Sequence, residues 1–196
     1  MENQTAVLNT ASISNETGNT HFEVGTEYVY GLNGRCILAS IEPRIIEGKT
    51  STFYKLHKIK NTFSRSTKTD LAIWIPASRA VEMGLRKPLA TSALDSILTI
   101  LTSKEFYFNP NDHWGTLQIG MEAGVRKEGP IGLAKAYSFL YVLTKRQVVP
   151  TPEVSKLNET VSRLFVRELA DALQITTKEA EEKAHKMMRP KLLADN

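Results

Sequence analysis

The sequence predicts an α+β chain in which a small all-β barrel precedes a compact all-α domain. Three observations carry that expectation. Residues 22–86 alternate apolar and polar positions between glycine and proline punctuation, which is the pattern of short strands. After Ala90 the apolar period lengthens to about 3.6, which marks a domain boundary. From there to residue 189, capping residues and early prolines recur at intervals that suit about five helices.

Residues 1–20 are rich in Asn, Thr and Ser without a sustained apolar period, and read as a mobile tail. The module 21–90 has candidate strands at 26–32, 35–46, 52–60 and 71–75. Asn33-Gly34 and Glu47-Gly48 can supply the positive φ angles of tight hairpin turns. The polar, basic segment 61–70 is expected to be a long hairpin loop, and a short helical stretch leads into Gly84-Leu85-Arg86.

In the second domain, 91–189, Ser92 with Asp95 has the spacing of a capping box, and Leu94, Ile97, Leu98 and Leu101 form one apolar stripe. Asp112 is a candidate cap for a helix whose stripe is Trp114, Leu117, Met121 and Val125. Gly115, Gly120 and Gly124 cost that helix about 3 kcal/mol together relative to Ala, a cost that close packing on a neighbouring helix would offset. Pro130 suits the first turn of the next helix, which runs to about Arg146 and is apolar nearly all round, hence central. Thr151-Pro152-Glu153 opens the longest helix, with Val154, Leu157, Val161, Leu164, Phe165 and Leu169 inward. Thr176 with Glu179 caps a last helix, which is expected to end before Pro190 and leave 190–196 as a tail.

The net charge is +4, and it is unevenly spread: 11 Lys and Arg against 6 Asp and Glu in 21–90, but 14 against 13 in 91–196. A mildly basic β module beside a nearly neutral helical domain is not the footprint of autonomous tight DNA binding, which needs many phosphate contacts. The lone Cys36 permits neither a disulfide within the chain nor a Cys-based zinc site and reads as a small buried residue. His21, His57, His113 and His185 stand on four different elements, with no second ligand at metal spacing. Phosphate loops, dinucleotide fingerprints and nucleophile elbows are absent. The expectation is therefore a non-enzymatic binding protein without cofactor, metal or small-molecule substrate. No apolar run is long enough for a membrane span and no leader pattern opens the chain, so a cytoplasmic location is expected.

Phe22, Val24, Gly25, Val29, Tyr30, Gly34, Ile41, Glu42, Arg44, Ile46, Gly48, Pro76, Gly84, Leu85 and Arg86 keep an order and spacing that resemble one known module. It is the Tudor-like module of the CarD/CdnL family of bacterial transcription regulators, shared with the RNA-polymerase-interacting domain of transcription-repair coupling factor. The resemblance continues more thinly to about 185, with Trp114 at the place of that family's landmark Trp. It implies that the module adds its edge to the β subunit of RNA polymerase through Arg44, Ile46, Phe53 and Tyr54, with Trp74 beside them. It also implies that the helical domain rests on promoter DNA at the upstream edge of the open complex, with Trp114 as a minor-groove wedge.

From the residues alone, Ile46 and Phe53 suit a barrel core equally well, Arg44 a solvated charge, Trp74 a cover for the barrel floor, and Trp114 a core aromatic. The chain departs from the family pattern after Trp114, where Gly115, Thr116, Leu117 and Gln118 replace the usual basic residues. Arg126, Lys127 and Lys156 could replace part of that phosphate grip or be ordinary surface charges. Two other expectations stand beside promoter binding. One is a polymerase-docking protein whose helical domain binds a second protein. The other is a Tudor-like RNA-binding module using Lys55, Lys58, Lys60, Arg65 and Lys68.

Overall fold

The computed structural model describes residues 22–59, 72–146 and 150–193. The expected tail at 1–20 and the expected loop at 61–70 lie outside the described residues. The N-terminal part is an antiparallel sheet of β1 (Glu27–Tyr30), β2 (Gly34–Ile46), β3 (Lys49–Lys58), β4 (Ile73–Pro76) and β5 (Leu85–Arg86), in the order β4-β3-β2-β1-β5. Closure into a barrel is not shown: β4 and β5 are the two ends of the sheet.

The strand pattern explains which face is buried. Tyr28, Cys36, Leu38, Leu56, Ile75 and Leu85 alternate onto one side, where Phe22 closes a small core with rings set edge-on against Tyr28 and Tyr54 at 5.0 and 5.7 Å. Cys36 is part of that core as its sequence context predicts, and burial pushes its thiol pKa up to about 11. A bulge between Leu38 and Ser40 shifts the register, so that Ser40 pairs with Lys55 and Ile41 with Tyr54.

Two turns differ in outcome. Glu47-Gly48 forms the expected two-residue connection, with Ile46 opposite Lys49 and φ of 50° and 76° at the two turn residues. Asn33-Gly34 does not form a tight turn. Gly31–Asn33 make one 3-10 turn and Gly34 already pairs with Tyr30, so the connection is a residue longer. The expected helical stretch before Gly84 shrinks to the 3-10 turn Ala77–Arg79, and Leu85–Arg86 form an unforeseen strand on Val29 and Tyr30. A two-residue strand is too short for periodicity to reveal.

Five helices follow: α1 (Leu94–Thr102), α2 (Trp114–Glu128), α3 (Pro130–Arg146), α4 (Pro152–Leu173) and α5 (Thr177–Leu193). No described helix is long and apolar enough to cross a membrane. α3 is the central helix, burying Leu133, Ala134, Ala136, Tyr137, Ser138, Phe139, Leu140 and Val142. Tyr137 stacks on Phe165 of α4 at 4.4 Å.

The caps were partly legible. Thr151 accepts a hydrogen bond from the Val154 amide, and Thr176 with Glu179 forms a reciprocal capping box. The Ser92–Asp95 box does not form: the 3-10 turn Thr91–Ala93 precedes α1 and its N-cap Ala93 offers no side chain. Asp112 does not cap α2. His113 does, its Nδ1 accepting from Gly115 N at 3.2 Å, while Asp112 accepts from Asn109. α5 also runs past Pro190, where an end was expected. Met188 and Lys191 are buried on either side of the proline, and Lys191 Nζ donates to Ser138 Oγ at 2.8 Å.

The close approach of α2 to its neighbour is at the Gly124 backbone, but the glycine that permits it is Gly132 of α3. A Cβ at Gly124 would meet nothing within 4 Å, whereas one at Gly132 of α3 would stand 2.1 Å from the Gly124 carbonyl oxygen. Gly124→Ala should therefore gain about 1 kcal/mol, the helix-propensity difference, read as a higher urea midpoint with an unchanged slope. A loss of stability would show that the α2 backbone needs the freedom of glycine there.

The two parts meet across a polar seam. Arg86 of β5 forms a two-pronged ion pair with Glu168 of α4 at 2.7 and 2.8 Å, and Glu168 also accepts from Leu89 N at 3.0 Å. Arg35 joins Glu27 at 2.6 Å to Asp171 at 2.8 Å. Leu32 packs onto the helical core, and Gly34 approaches Leu164 so closely that a Cβ would lie 2.8 Å from it.

Candidate functional site

Two-residue periodicity and register sort the β2–β3 arm into faces. Ser40, Glu42, Arg44 and Ile46 share one face with Phe53 and Lys55, and with Trp74 and Pro76 of β4. Ile41, Pro43 and Ile45 share the other with Tyr54, Leu56, Ile73 and Ile75, above the sheet core. The five residues expected at a polymerase contact therefore divide. Arg44, Ile46, Phe53 and Trp74 come together on one face, and Tyr54 points to the opposite one, where burial raises its hydroxyl pKa.

On the first face the Arg44 guanidinium lies 3.4 Å from the centroid of the Trp74 ring, and Lys55 Nζ is 5.3 Å from the same ring. A guanidinium set this close over an indole ring makes a cation–π contact. Phe53, opposite Glu42 on one side and Pro76 on the other, is only 9% exposed, so it supports this face from beneath. Ile46 is 50% exposed and not core. Glu42 accepts from Ser40 Oγ at 2.6 Å, which holds its carboxylate away from Arg44.

The arm also presents backbone. β1 pairs with β2 only over Gly34–Ile37, Leu38 adds bonds to Gly25 and Thr26, and β4 pairs with β3 only over Phe53–Leu56. Among the described residues, no strand covers the outer edge of β2 beyond Leu38. The two-residue turn makes Ile46/Lys49 a hydrogen-bonded pair, so Arg44/Ser51 and Glu42/Phe53 are bonded too, and Ile45/Thr50, Pro43/Thr52 and Ile41/Tyr54 are the alternating unbonded pairs. Ile41 and Ile45 then aim both N–H and C=O outward, and Pro43 aims only a C=O. Pro43 fits β2 for this reason, its missing donor falling on the open edge. Ile45 is 76% exposed and Ile41 43%. Ile45 and Ile41 were not among the residues expected at a contact, although an alternating strand that outruns its neighbours must bare both faces.

Of the residues expected to meet DNA, Arg126 and Lys127 stand at the opposite end of α2 from Trp114. Trp114, at the start of α2, is half-buried against the helical core, with its indole N–H buried and unpartnered. Arg126 lies twelve residues further along the same helix, about 18 Å at 1.5 Å per residue. There its stem lies against the β module, the Cγ 3.1 Å from where a Gly84 Cβ would be. Lys127 is exposed beside it, and both line an open cleft of about 720 Å3 with Arg79, Glu82, Arg86 and Glu128. Lys156 is exposed on the first turns of α4, twelve residues before the Glu168 that touches the module, and so again about 18 Å away from the seam.

No family model matches the chain, and no curated protein is significantly similar to it.

Proposed function

We propose that the chain is a non-enzymatic transcription regulator that docks on the β subunit of RNA polymerase by strand addition to the open edge of β2 and acts on promoter complexes through its helical domain. The reading rests on the resemblance of residues 22–86 to the CarD/CdnL module. The observation that carries it is the uncovered edge 39–46, flanked by the Arg44–Trp74 pair and by Ile45 and Ile46. Edge addition draws affinity from the backbone and specificity from alternate side chains, and this arm offers both.

A second reading is favoured by Trp114. Its half-burial against the core, together with the absence of basic residues at 115–118, suits a helical domain that binds another protein rather than DNA.

The test is retention of purified polymerase and of isolated β subunit on the immobilised full chain. Both should be retained. Ile45→Pro removes an outward N–H without touching the ladder to β3, and Arg44→Glu reverses the charge over Trp74. Each should weaken retention by about 10-fold or more with unchanged circular dichroism. Parent-like retention by both variants would remove this edge from the contact, and no retention of polymerase by the parent chain would end the polymerase reading.

A further inference from the structure

The seam between α3 and α5 carries a feature that polymerase docking does not use. The rings of Tyr141 on α3 and His185 on α5 stack at 4.7 Å with an interplanar angle of 27°, and both are only half-buried. Exposed cations flank the pair. Lys145, one turn beyond Tyr141, holds its Nζ 5.9 Å from the tyrosine ring, and Arg189, one turn beyond His185, is close enough to lower the tyrosine pKa against the rise that burial causes. Among the described residues neither Lys145 nor Arg189 forms an ion pair. The carboxylate at this place is Glu181, 4.0 Å from His185 Nε2. Burial, with a smaller contribution from Lys145, lowers the His185 pKa and outweighs Glu181, so at neutral pH the imidazole is an uncharged plate. Arg146 adds a guanidinium 5.2 Å from the Phe106 ring beside the same seam.

We propose that the α3–α5 seam is a binding platform for single-stranded nucleic acid, with a base stacked on the Tyr141–His185 pair and the neighbouring phosphates held by Lys145 and Arg189. An aromatic plate with cations on both sides is the arrangement that such strands require, since every base has a π-face and every linkage a charge. Duplex DNA does not fit, because its bases are already stacked. The platform stands on the helical domain, away from the β2 edge, and does not depend on the polymerase reading.

The test is fluorescence anisotropy with the full chain and no polymerase, using labelled oligothymidylate, oligouridylate of the same length, and a duplex. Single strands should bind more tightly than duplex, and the comparison of the two oligonucleotides tells whether DNA or RNA is preferred. His185→Ala should weaken binding about 10-fold while His185→Phe, which keeps a plate, should not. Lys145→Gln and Arg189→Gln lie on exposed positions and should each flatten the plot of log affinity against log salt by about 0.7. Absence of saturable single-strand binding, preference for the duplex, or parent-like salt dependence in both Gln variants would overturn the proposal.

Discussion

Glu168→Ala is expected to destabilise the folded chain by about 3–5 kcal/mol, the range for removing one partner of a buried ion pair. Glu168 is 4% exposed and serves three donors, two from Arg86 and one from Leu89 N. Its loss strands a guanidinium whose own side chain is 14% exposed, and whose Nε already has no partner. Replacing both residues, Arg86→Leu with Glu168→Leu, should cost clearly less than the single change, because the stranded charge goes with its partner. The measurement is urea unfolding followed by tryptophan fluorescence in Trp74→Phe and Trp114→Phe backgrounds, which report the helical domain and the sheet separately. In the parent the two should unfold together, and in Glu168→Ala they should separate. A cost below about 1 kcal/mol would mean that the seam is held by Leu32, Leu164 and the Arg35 pairs instead.

Gly132→Ala should be nearly as damaging, at about 3 kcal/mol or more, the upper part of the range for overpacking. A methyl group 2.1 Å from the Gly124 oxygen and 2.9 Å from the Val125 nitrogen meets backbone on the facing helix, which has no rotamer to yield. α2 would have to withdraw from α3, opening the contacts of Met121 and Val125 with the helical core. An unchanged urea midpoint would show that the helices slide apart at little cost. The contrast with Gly124→Ala makes the pair of variants informative, since one contact has a tolerant side and an intolerant side.

These two residues also show what could and could not be read from the chain. The apolar stripes of α1, α2 and α4 were visible because 3.6-residue periodicity survives any tertiary context, and Thr151-Pro152 and Thr176/Glu179 marked helix starts through purely local bonds. The special role of Gly132 was invisible, because it depends on how deeply two helices pack. So was the partnership of Arg86 with Glu168, 82 positions apart. Capping failed where a histidine stood one residue nearer than the acidic candidate, and the end of α5 failed because the helix continues through Pro190 to Leu193 with Met188 and Lys191 buried. Of the candidate site, Arg44, Ile46 and Trp74 were legible as neighbours, but Tyr54 was assigned with Phe53 although adjacent strand residues face opposite sides. Trp114 was singled out by the resemblance and Arg126, Lys127 and Lys156 by their charge, and the length of α2 keeps Arg126 and Lys127 away from Trp114.

Pro43 has a consequence for the protein's behaviour in concentrated solution. A bare strand edge invites copies of the same molecule to zip together. A two-fold, edge-to-edge union of two β2 strands would forfeit a bond at the proline of each copy and would bring Arg44 of one molecule towards its twin. A foreign strand forfeits one bond and brings no matching charge. The proline thus penalises homotypic assembly twice as heavily as heterotypic assembly, which keeps a long, isoleucine-rich arm available without committing it to pairing with its own copy.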